Sequence, residues 1–450
     1  MSQPTLQPKL SLFDAVCLIV GVAIGVGVYQ FLPMIAQGTD GIGWLLGIWV
    51  LGGVVSLCGA LAYAELGSAM PRNGGDYIYL TKAYGSWAGF LFGWMLTVVM
   101  RPADIAIMAF IFSRYFKAIW APEASSGFAP YYEKLLAFAV VILLTAAHAV
   151  SVREGKWTHN ILTIVKVLGI LFIVTVAFVS PAAAEIIPLG VDGGDASPFT
   201  FATALLFVLF CFGGWNEVAY VAAEIKNPQR NILRSIIISI VLVMVVYLLI
   251  TFAMLYGLGF EGIAQSEAVA ADLIKPAFPV IGTRLIASLI CVSALGAISG
   301  MIFAGARVTQ ALGSEHRLFR QVGKVHPRLE TPLRALLLQC GIAGVMIFSF
   351  GSAAETLLTV SPLLYLFFIA TSISVIILRI REPELVRPYR LLAFPLPILI
   401  FSGIIAWMTY GLIKYNPWPV LCLFGVLLFG LVPYLLDKHL SRATEEVDKS

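Results

Sequence analysis

From Ala15 to Thr39 the chain carries no charged residue. A helix needs about 20 predominantly apolar residues to cross the hydrocarbon core of a bilayer, so this run is long enough to span. Its centre, however, reads Leu18-Ile-Val-Gly-Val-Ala-Ile-Gly-Val-Gly-Val-Tyr-Gln30, with Gly21, Gly25 and Gly27 close together. Each glycine weakens a helix by roughly 1 kcal/mol relative to alanine. The expectation is a spanning helix that breaks in its middle. Backbone N–H and C=O groups released there are tolerated at membrane depth only where they line a cavity or meet protein. The run reads as one half of a binding site.

Composition agrees with a membrane chain. Charged residues make up 12% and hydrophobic ones 60%, where soluble domains carry about 25% charge. Cys17, Cys58, Cys211, Cys291, Cys340 and Cys422 all lie inside apolar runs, which suits neither a disulfide framework nor a zinc site. The first apolar run is too long for the core of a signal peptide and lacks a small-residue cleavage pattern behind it, so it is expected to remain as the first membrane helix. Apolar runs bounded by charged or Pro/Gly-rich loops predict twelve spans, at 13–37, 42–67, 84–113, 134–151, 158–180, 199–223, 233–258, 284–312, 333–350, 355–379, 395–413 and 418–436. Arg114, Lys117, Lys134, Lys275, Arg284 and Lys414 fall on one side of these spans, while Arg101 and Lys166 lie within them. Every other lysine and arginine falls on the side of the termini, which places both termini in the cytoplasm.

A second interruption lies in the sixth span, Leu206-Phe-Val-Leu-Phe-Cys-Phe-Gly-Gly-Trp-Asn-Glu-Val218. Gly213-Gly214 sits mid-run and polar Asn216 and Glu217 follow. Interrupted helices at matching positions of two halves point to an inverted-repeat transporter with its site at the midplane. One glycine-bearing helix alone is as well explained by close helix packing; the pair five helices apart favours the transporter.

Several segments resemble the amino acid–polyamine–organocation superfamily, and within it the L-type amino acid transporter group. They are Ala23-Ile-Gly-Val-Gly-Val-Tyr29, Ala62-Tyr-Ala-Glu-Leu-Gly67, Pro71-Arg-Asn-Gly-Gly-Asp-Tyr77, Arg101-Pro102, Phe210-Cys-Phe-Gly-Gly-Trp-Asn216, Ala223-Glu-Ile-Lys-Asn-Pro228 and Arg381-Glu-Pro-Glu-Leu-Val-Arg-Pro388. The resemblance implies an all-α integral membrane protein of the LeuT type, a five-plus-five inverted repeat with twelve helices of which the first and sixth are discontinuous. A cytoplasmic tail at 1–12 would precede a transport core at 13–390, with repeats at 13–180 and 199–379. Two peripheral helices at 391–436 and a tail at 437–450 would follow.

The same resemblance assigns roles. The amides of Gly25, Val26 and Gly27 would hold a substrate carboxylate, which suits the positive end of a helix beginning there. Carbonyls of Ala23, Ile24, Phe210 and Cys211 would take the α-ammonium. The family often carries a serine where this chain has Val26. Phe210 aligns with an aromatic gate, and Gly213, Trp215, Asn216 and Glu217 complete the substrate set. Lys166, inside an apolar span, is a functional candidate by its cost alone. It resembles a helix-five lysine whose ammonium stands where sodium-driven relatives hold an ion, with Ser293 or Ser299 as helix-eight neighbours. It is also a candidate proton-coupling group, and no sodium requirement is expected.

Asp104 is three residues after Arg101, and an i,i+3 ion pair is its simple reading. If Asp104 and Glu217 instead serve the substrate, the chain is a cationic amino acid or polyamine permease. Glu65, Arg72, Glu224, Lys226 and the 313–334 loop read as solvated charge or as an inner gate, and 259–283 as an outer lid. Animal L-type transporters bond a single-span partner through a cysteine after helix three; residues 114–133 contain none, so no disulfide-linked heavy chain is expected. The expected partners are the bilayer and a small-molecule amino acid, with no nucleic acid, metal or cofactor. Neither HExxH nor G-x-S-x-G occurs, which sets an enzyme aside. The reading is a plasma-membrane transporter of L-amino acids working by sodium-independent exchange or proton symport. A sensor that does not transport is the remote alternative.

Overall fold

The computed structural model describes residues 10–72, 74–120, 129–150, 156–179, 198–278, 281–327, 329, 331–415 and 417–447. Most of the tail expected at 1–12, the middle of the 114–133 loop, and Lys9, Arg153, Arg328 and Lys449 lie outside these residues.

In chain order the helices are α1 (Leu12–Ala23), α2 (Gly27–Gln37), α3 (Ile42–Ala69), α4 (Asp76–Tyr84), α5 (Ser86–Met95), α6 (Arg101–Trp120), α7 (Ala129–Val150), α8 (Lys156–Val179) and α9 (Pro198–Cys211). They continue as α10 (Glu217–Tyr220), α11 (Pro228–Gln265), α12 (Val269–Ile274), α13 (Ile281–Glu315), α14 (Leu333–Ser349), α15 (Ala353–Arg381), α16 (Leu396–Tyr415), α17 (Pro417–Phe429) and α18 (Leu431–Val447). A π-helical turn, Leu96–Met100, joins α5 to α6.

Among the described residues, eight helical spans are long and apolar enough to cross a membrane, nine if the bent pair α1–α2 counts as one. Thr163–Val179, Thr200–Cys211 and Leu333–Ser349 are shorter apolar helices. The chain is an all-helical, multi-pass membrane protein.

Local sequence explains where the helices begin and bend. Ser11 and Asp14 form a reciprocal capping box that starts α1. Pro228 occupies the first turn of α11, where its missing N–H has no intrahelical role. Gly259 breaks α11 with φ 71, near the end expected for the seventh span; helix then resumes to Gln265, and α12 follows. The chain beyond 437, expected as a tail, stays helical to Val447. Its anchor is Asp437, which is buried and meets His316 Nδ1 at 2.9 Å and the Leu318 N–H at 3.0 Å.

The chain divides into two compact units, each drawing segments from both halves. The first comprises 1–79, 154–293 and 365–415. In it α3 packs along α11, α1 lies on α8 and α11, α2 lies on α9, and α16 rests on α3 and α9. Glycines in α3 set the spacing. A Cβ on Gly52 would sit 2.3 Å from Val208 Cγ1, and one on Gly59 2.6 Å from Phe401. Small residues let helix backbones approach in this way where no hydrophobic effect drives helices together.

The second unit comprises 80–153, 294–364 and 416–450. There α7 and α14 pack on each other and on α6. Lys117 and Glu133 pair at 3.1 Å, and His148 Nε2 meets Ser299 Oγ at 2.8 Å.

Candidate functional site

The break between α1 and α2 is built from the glycine-rich run. α1 stops at Ala23, the Ile24 N–H closes its last turn on the Val20 carbonyl at 2.7 Å, and α2 starts at Gly27 after a 51° bend. The first N–H groups of any helix have no acceptor within it. At α2 no side chain caps them, because the capping position is Val26, and Val26 and Gly27 are both buried. A buried helix start without a side-chain cap is a seat for an anion such as a carboxylate.

The two glycines have different neighbours. A Cβ on Gly25 would meet only the Val22 carbonyl, at 3.8 Å; one on Gly27 would press on Cys211 Sγ at 3.3 Å, with the Phe210 ring at 3.9 Å. Gly25 faces space and Gly27 faces the second interrupted helix. Ile24, Gly25, Val26 and Tyr29 line one side of a cavity of about 20 Å³, and Lys166, Ile170, Leu289, Ile290 and Ser293 line the other.

Lys166, on α8, donates to the Gly21 carbonyl at 3.2 Å. This bond runs from α8 to α1, and Ser293 shares the cavity. Ser299, the other candidate serine, meets His148 in the second unit. Ser293 and Ser299 are six residues apart on α13, which puts them about 120° apart around a helix of 3.6 residues per turn.

The second interruption follows α9. Residues 212–216 form turns, with Gly213 N–H on the Phe210 carbonyl at 2.9 Å, before the four-residue α10. Gly214 has φ +106, and a Cβ there would lie 2.9 Å from Val22 Cβ, so only glycine fits. Gly214 itself makes the close pass between the two interrupted segments.

Tyr247, on α11, is a residue that the sequence reading missed. Its hydroxyl lies 2.6 Å from the Ala23 carbonyl and 3.1 Å from the Cys211 carbonyl, the last residues of α1 and α9. Two of the four carbonyls assigned to an ammonium therefore already face a hydroxyl. A hydroxyl has one proton and a carbonyl two lone pairs, so each retains accepting capacity. Phe210 stands edge-on to Phe31 at 5.6 Å, and Phe31 stacks on Phe207 at 4.8 Å. Trp215, expected at the substrate, is buried among Tyr63 (4.9 Å), Phe368 (5.3 Å) and Phe401 (6.2 Å). Asn216 precedes α10 without capping it through its side chain, and Glu217 is the first residue of α10. Asp104 lies in the second unit, 3.9 Å from Arg101, as the i,i+3 reading has it.

Two buried carboxylates anchor the surroundings. Glu65, expected at a charged end, is 1% exposed. It accepts from Arg379 Nε at 2.9 Å and Nη2 at 2.6 Å, and from the Leu391 N–H at 2.7 Å, with Arg387 Nε at 3.5 Å. Asp76 is fully buried and accepts from Tyr63, from Thr371 at 2.7 Å and from Tyr220 at 2.9 Å. Burial pushes the Asp76 carboxyl above the ordinary aspartate range, and the three hydroxyls offset part of that rise. Among the described residues no group of His, Cys, Asp and Glu is placed to hold a metal ion.

The uncapped start of α2 is buried, and the half-buried Lys166 ammonium lies on the same cavity. The chain belongs to the amino acid permease family, whose model matches residues 10–432. It is 28% identical over 437 residues to b(0,+)-type amino acid transporter 1 of Mus musculus, covering 96% of this chain and 88% of that protein. It is 31% identical over 434 residues to Asc-type amino acid transporter 1 of Mus musculus, covering 94% and 79%. To large neutral amino acids transporter small subunit 2 of Rattus norvegicus it is 31% identical over 450 residues, covering 96% and 81%. The relatives are transporters, and the chain is placed with amino acid transport rather than with enzymes.

Proposed function

We propose that the chain is a secondary active transporter of L-amino acids that works by alternating access without sodium, by exchange or by proton symport. The observation that carries this is the α2 start, buried, without a side-chain cap and bent 51° from α1. The substrate carboxylate sits on the amides of Gly25, Val26 and Gly27. Its ammonium uses the remaining lone pairs of Ala23, Ile24, Phe210 and Cys211, and Phe210 closes over it. Gly213, Asn216 and Glu217 form the far wall, and Trp215 supports that wall from its aromatic cluster.

Lys166 supplies the positive charge that ties α8 to α1, with Ser293 across the same cavity. In this reading the bent pair, the other spans and the three shorter apolar helices make twelve crossings, ten of them in a five-plus-five repeat and two as peripheral helices after it. Both termini are cytoplasmic in the cell membrane, and 259–283 acts as the outer lid. One relative is named as a small subunit, so a partner chain is compatible with this fold. No cysteine lies within 114–133, so a partner would be held without a disulfide from that loop.

The test is thermal stabilisation of the purified protein by a panel of amino acids and polyamines, followed by counterflow in liposomes. A ligand that binds only the folded state raises the melting point, by about 2.7 kcal/mol of stability at a hundred times its dissociation constant. Stabilisation by neutral amino acids with counterflow in sodium-free buffer is expected. Strict sodium dependence would sink the assignment of Lys166. Stabilisation by polyamines or arginine alone would favour the permease of cationic substrates, with Glu217 as their partner.

A further inference from the structure

The segment after the second interruption is too short to hold itself. α10 has four residues, far below the roughly 12 to 15 at which an isolated helix becomes even marginal in water. Its position is set from outside, and two of the ties are specific hydrogen bonds. Tyr220, its last residue, donates to Asp76 Oδ2 at 2.9 Å. Four residues on, the backbone of Glu224–Lys226 clasps Leu10: the Leu10 N–H donates to the Glu224 carbonyl and the Lys226 N–H to the Leu10 carbonyl, each at 2.8 Å. Leu10 directly precedes the capping box of α1. The beginning of one broken helix and the end of the other are therefore joined by a pair of backbone bonds.

The Asp76 turn is shaped to receive this segment. Gly74 and Gly75 have φ +129 and +49, and a Cβ on Gly75 would lie 2.9 Å from the Tyr220 ring. The turn thus needs glycine for its conformation and for its contact. Asp76 reaches the interruption by a second route. Tyr63, which donates to Asp76, has its ring 4.9 Å from Trp215, inside residues 212–216. Thr371 brings α15 to the same carboxylate. Three hydroxyls on one fully buried carboxylate are a strong, specific join, because a hydrogen bond to a charged group is worth about 1.5–3 kcal/mol.

We propose that Asp76 is a positioning residue for transport: it latches the Tyr220 segment, and through the Leu10 clasp the start of α1, so that both leave together when the site opens on that side. This rests on the reading of the chain as an alternating-access carrier. The native thiol of Cys17 reports the event. It is on α1, 5% exposed, and α8 covers this stretch, where Thr163 donates to the Cys17 carbonyl at 3.3 Å.

The experiment compares wild-type protein with Tyr220→Phe, which removes one hydroxyl and keeps the ring, and with Thr371→Val. Full-length protein is reconstituted without substrate and exposed to isotope-coded N-ethylmaleimide. The labelling rate of each cysteine is read by peptide mass spectrometry. Tyr220→Phe should raise the Cys17 rate at least fivefold and Thr371→Val by a smaller factor, with Cys340 in the second unit unchanged. An unchanged Cys17 rate in both variants overturns the latch. A uniform rise at Cys17, Cys291 and Cys340 overturns it as well, since the hydroxyls then merely hold the fold together. Amino acid stabilisation is measured separately: its absence with a responsive Cys17 removes the transport reading and leaves the latch.

Discussion

Arg379 grips Glu65 at both carboxylate oxygens, with Nε–Oε1 at 2.9 Å and Nη2–Oε2 at 2.6 Å. Arg379 also lies over the Phe394 ring at 4.0 Å, and Arg387 spends its guanidinium on the carbonyls of Leu378, Glu382 and Leu385 at the end of α15. The chain after α15 is thereby folded back against α3. Removing one partner of a buried pair leaves the other uncompensated and costs about 3–5 kcal/mol. Glu65→Gln should lower the melting point of the purified protein markedly, while Glu65→Gln combined with Arg379→Met should cost less than the two separate losses added together. Strict additivity in that thermal double-mutant cycle would mean that the pair is not coupled.

Gly25 and Gly27 should respond differently to alanine. Gly25→Ala meets nothing closer than 3.8 Å, so the protein should keep its stability while the added methyl narrows the cavity and weakens substrate-induced stabilisation. Gly27→Ala presses on Cys211 Sγ at 3.3 Å and should lose about 1 kcal/mol or more, within the range for overpacking. Cys211→Ala removes that sulfur and should recover most of the loss. A Gly27→Ala defect that Cys211→Ala does not relieve would place the crowding elsewhere.

Tyr247→Phe keeps the ring between Trp49, at 4.9 Å, and Phe212, at 5.7 Å, and removes only the hydroxyl shared by the two helix ends. Stability should fall by about 1 kcal/mol, the usual worth of one hydrogen bond, with a larger effect on counterflow rate than on substrate stabilisation. Equal loss in binding and rate would make the hydroxyl a plain substrate contact.

Lys166→Met preserves length and removes the charge that meets Gly21. We expect at least a tenfold fall in counterflow with normal insertion, about 1.4 kcal/mol in the transport step. Sodium should not restore it at any concentration tested, because none of the residues that line the cavity carries a negative charge to hold the ion. Full activity in this variant would reduce Lys166 to a structural ornament of α8.

Asp76 sets a pH dependence. Its folded-state carboxyl is raised, chiefly by burial, so between the ordinary aspartate range and that raised value the folded protein keeps a proton that the unfolded chain has released. Linkage makes its contribution to stability fall as pH rises from the ordinary aspartate range through the folded value, and level off above it. Melting curves of wild type and Asp76→Asn between pH 3.5 and about 7 should show the wild type losing ground to the variant as pH rises. A difference that grows in the opposite sense would mean that the three hydroxyls outweigh burial.

Much of the scaffold was legible before the structure, for definite reasons. The interruption at residues 24–26 follows from glycine spacing in a run that has no charge to end it, and the end expected for the seventh span, residue 258, adjoins the kink at Gly259. The Arg101–Asp104 pair follows from helix periodicity. Tyr247 was not legible: it is one aromatic residue in the apolar run of α11, and its partners are backbone atoms contributed by α1 and α9. The Asp76 turn was visible as a glycine motif but silent about its load, since the hydroxyls of Tyr63, Tyr220 and Thr371 come from distant points in the chain. Ser293 and Ser299 look interchangeable in the sequence, since their separation around the helix axis shows only once the helix is in place. Trp215 follows a substrate motif, and only packing reveals that its ring belongs to an aromatic cluster.

The ammonium that meets Gly21 is covalently part of the chain. A dissolved cation in that place would come and go with its concentration, and its hold on the broken helix would follow the salt outside. A tethered one is present at any dilution and in any ionic medium, so its grip carries no mass-action term. In the proposed transporter the organisation around the break is thus insulated from the cation composition of the surroundings, and chemistry that changes the amine itself, or draws α8 away, loosens it.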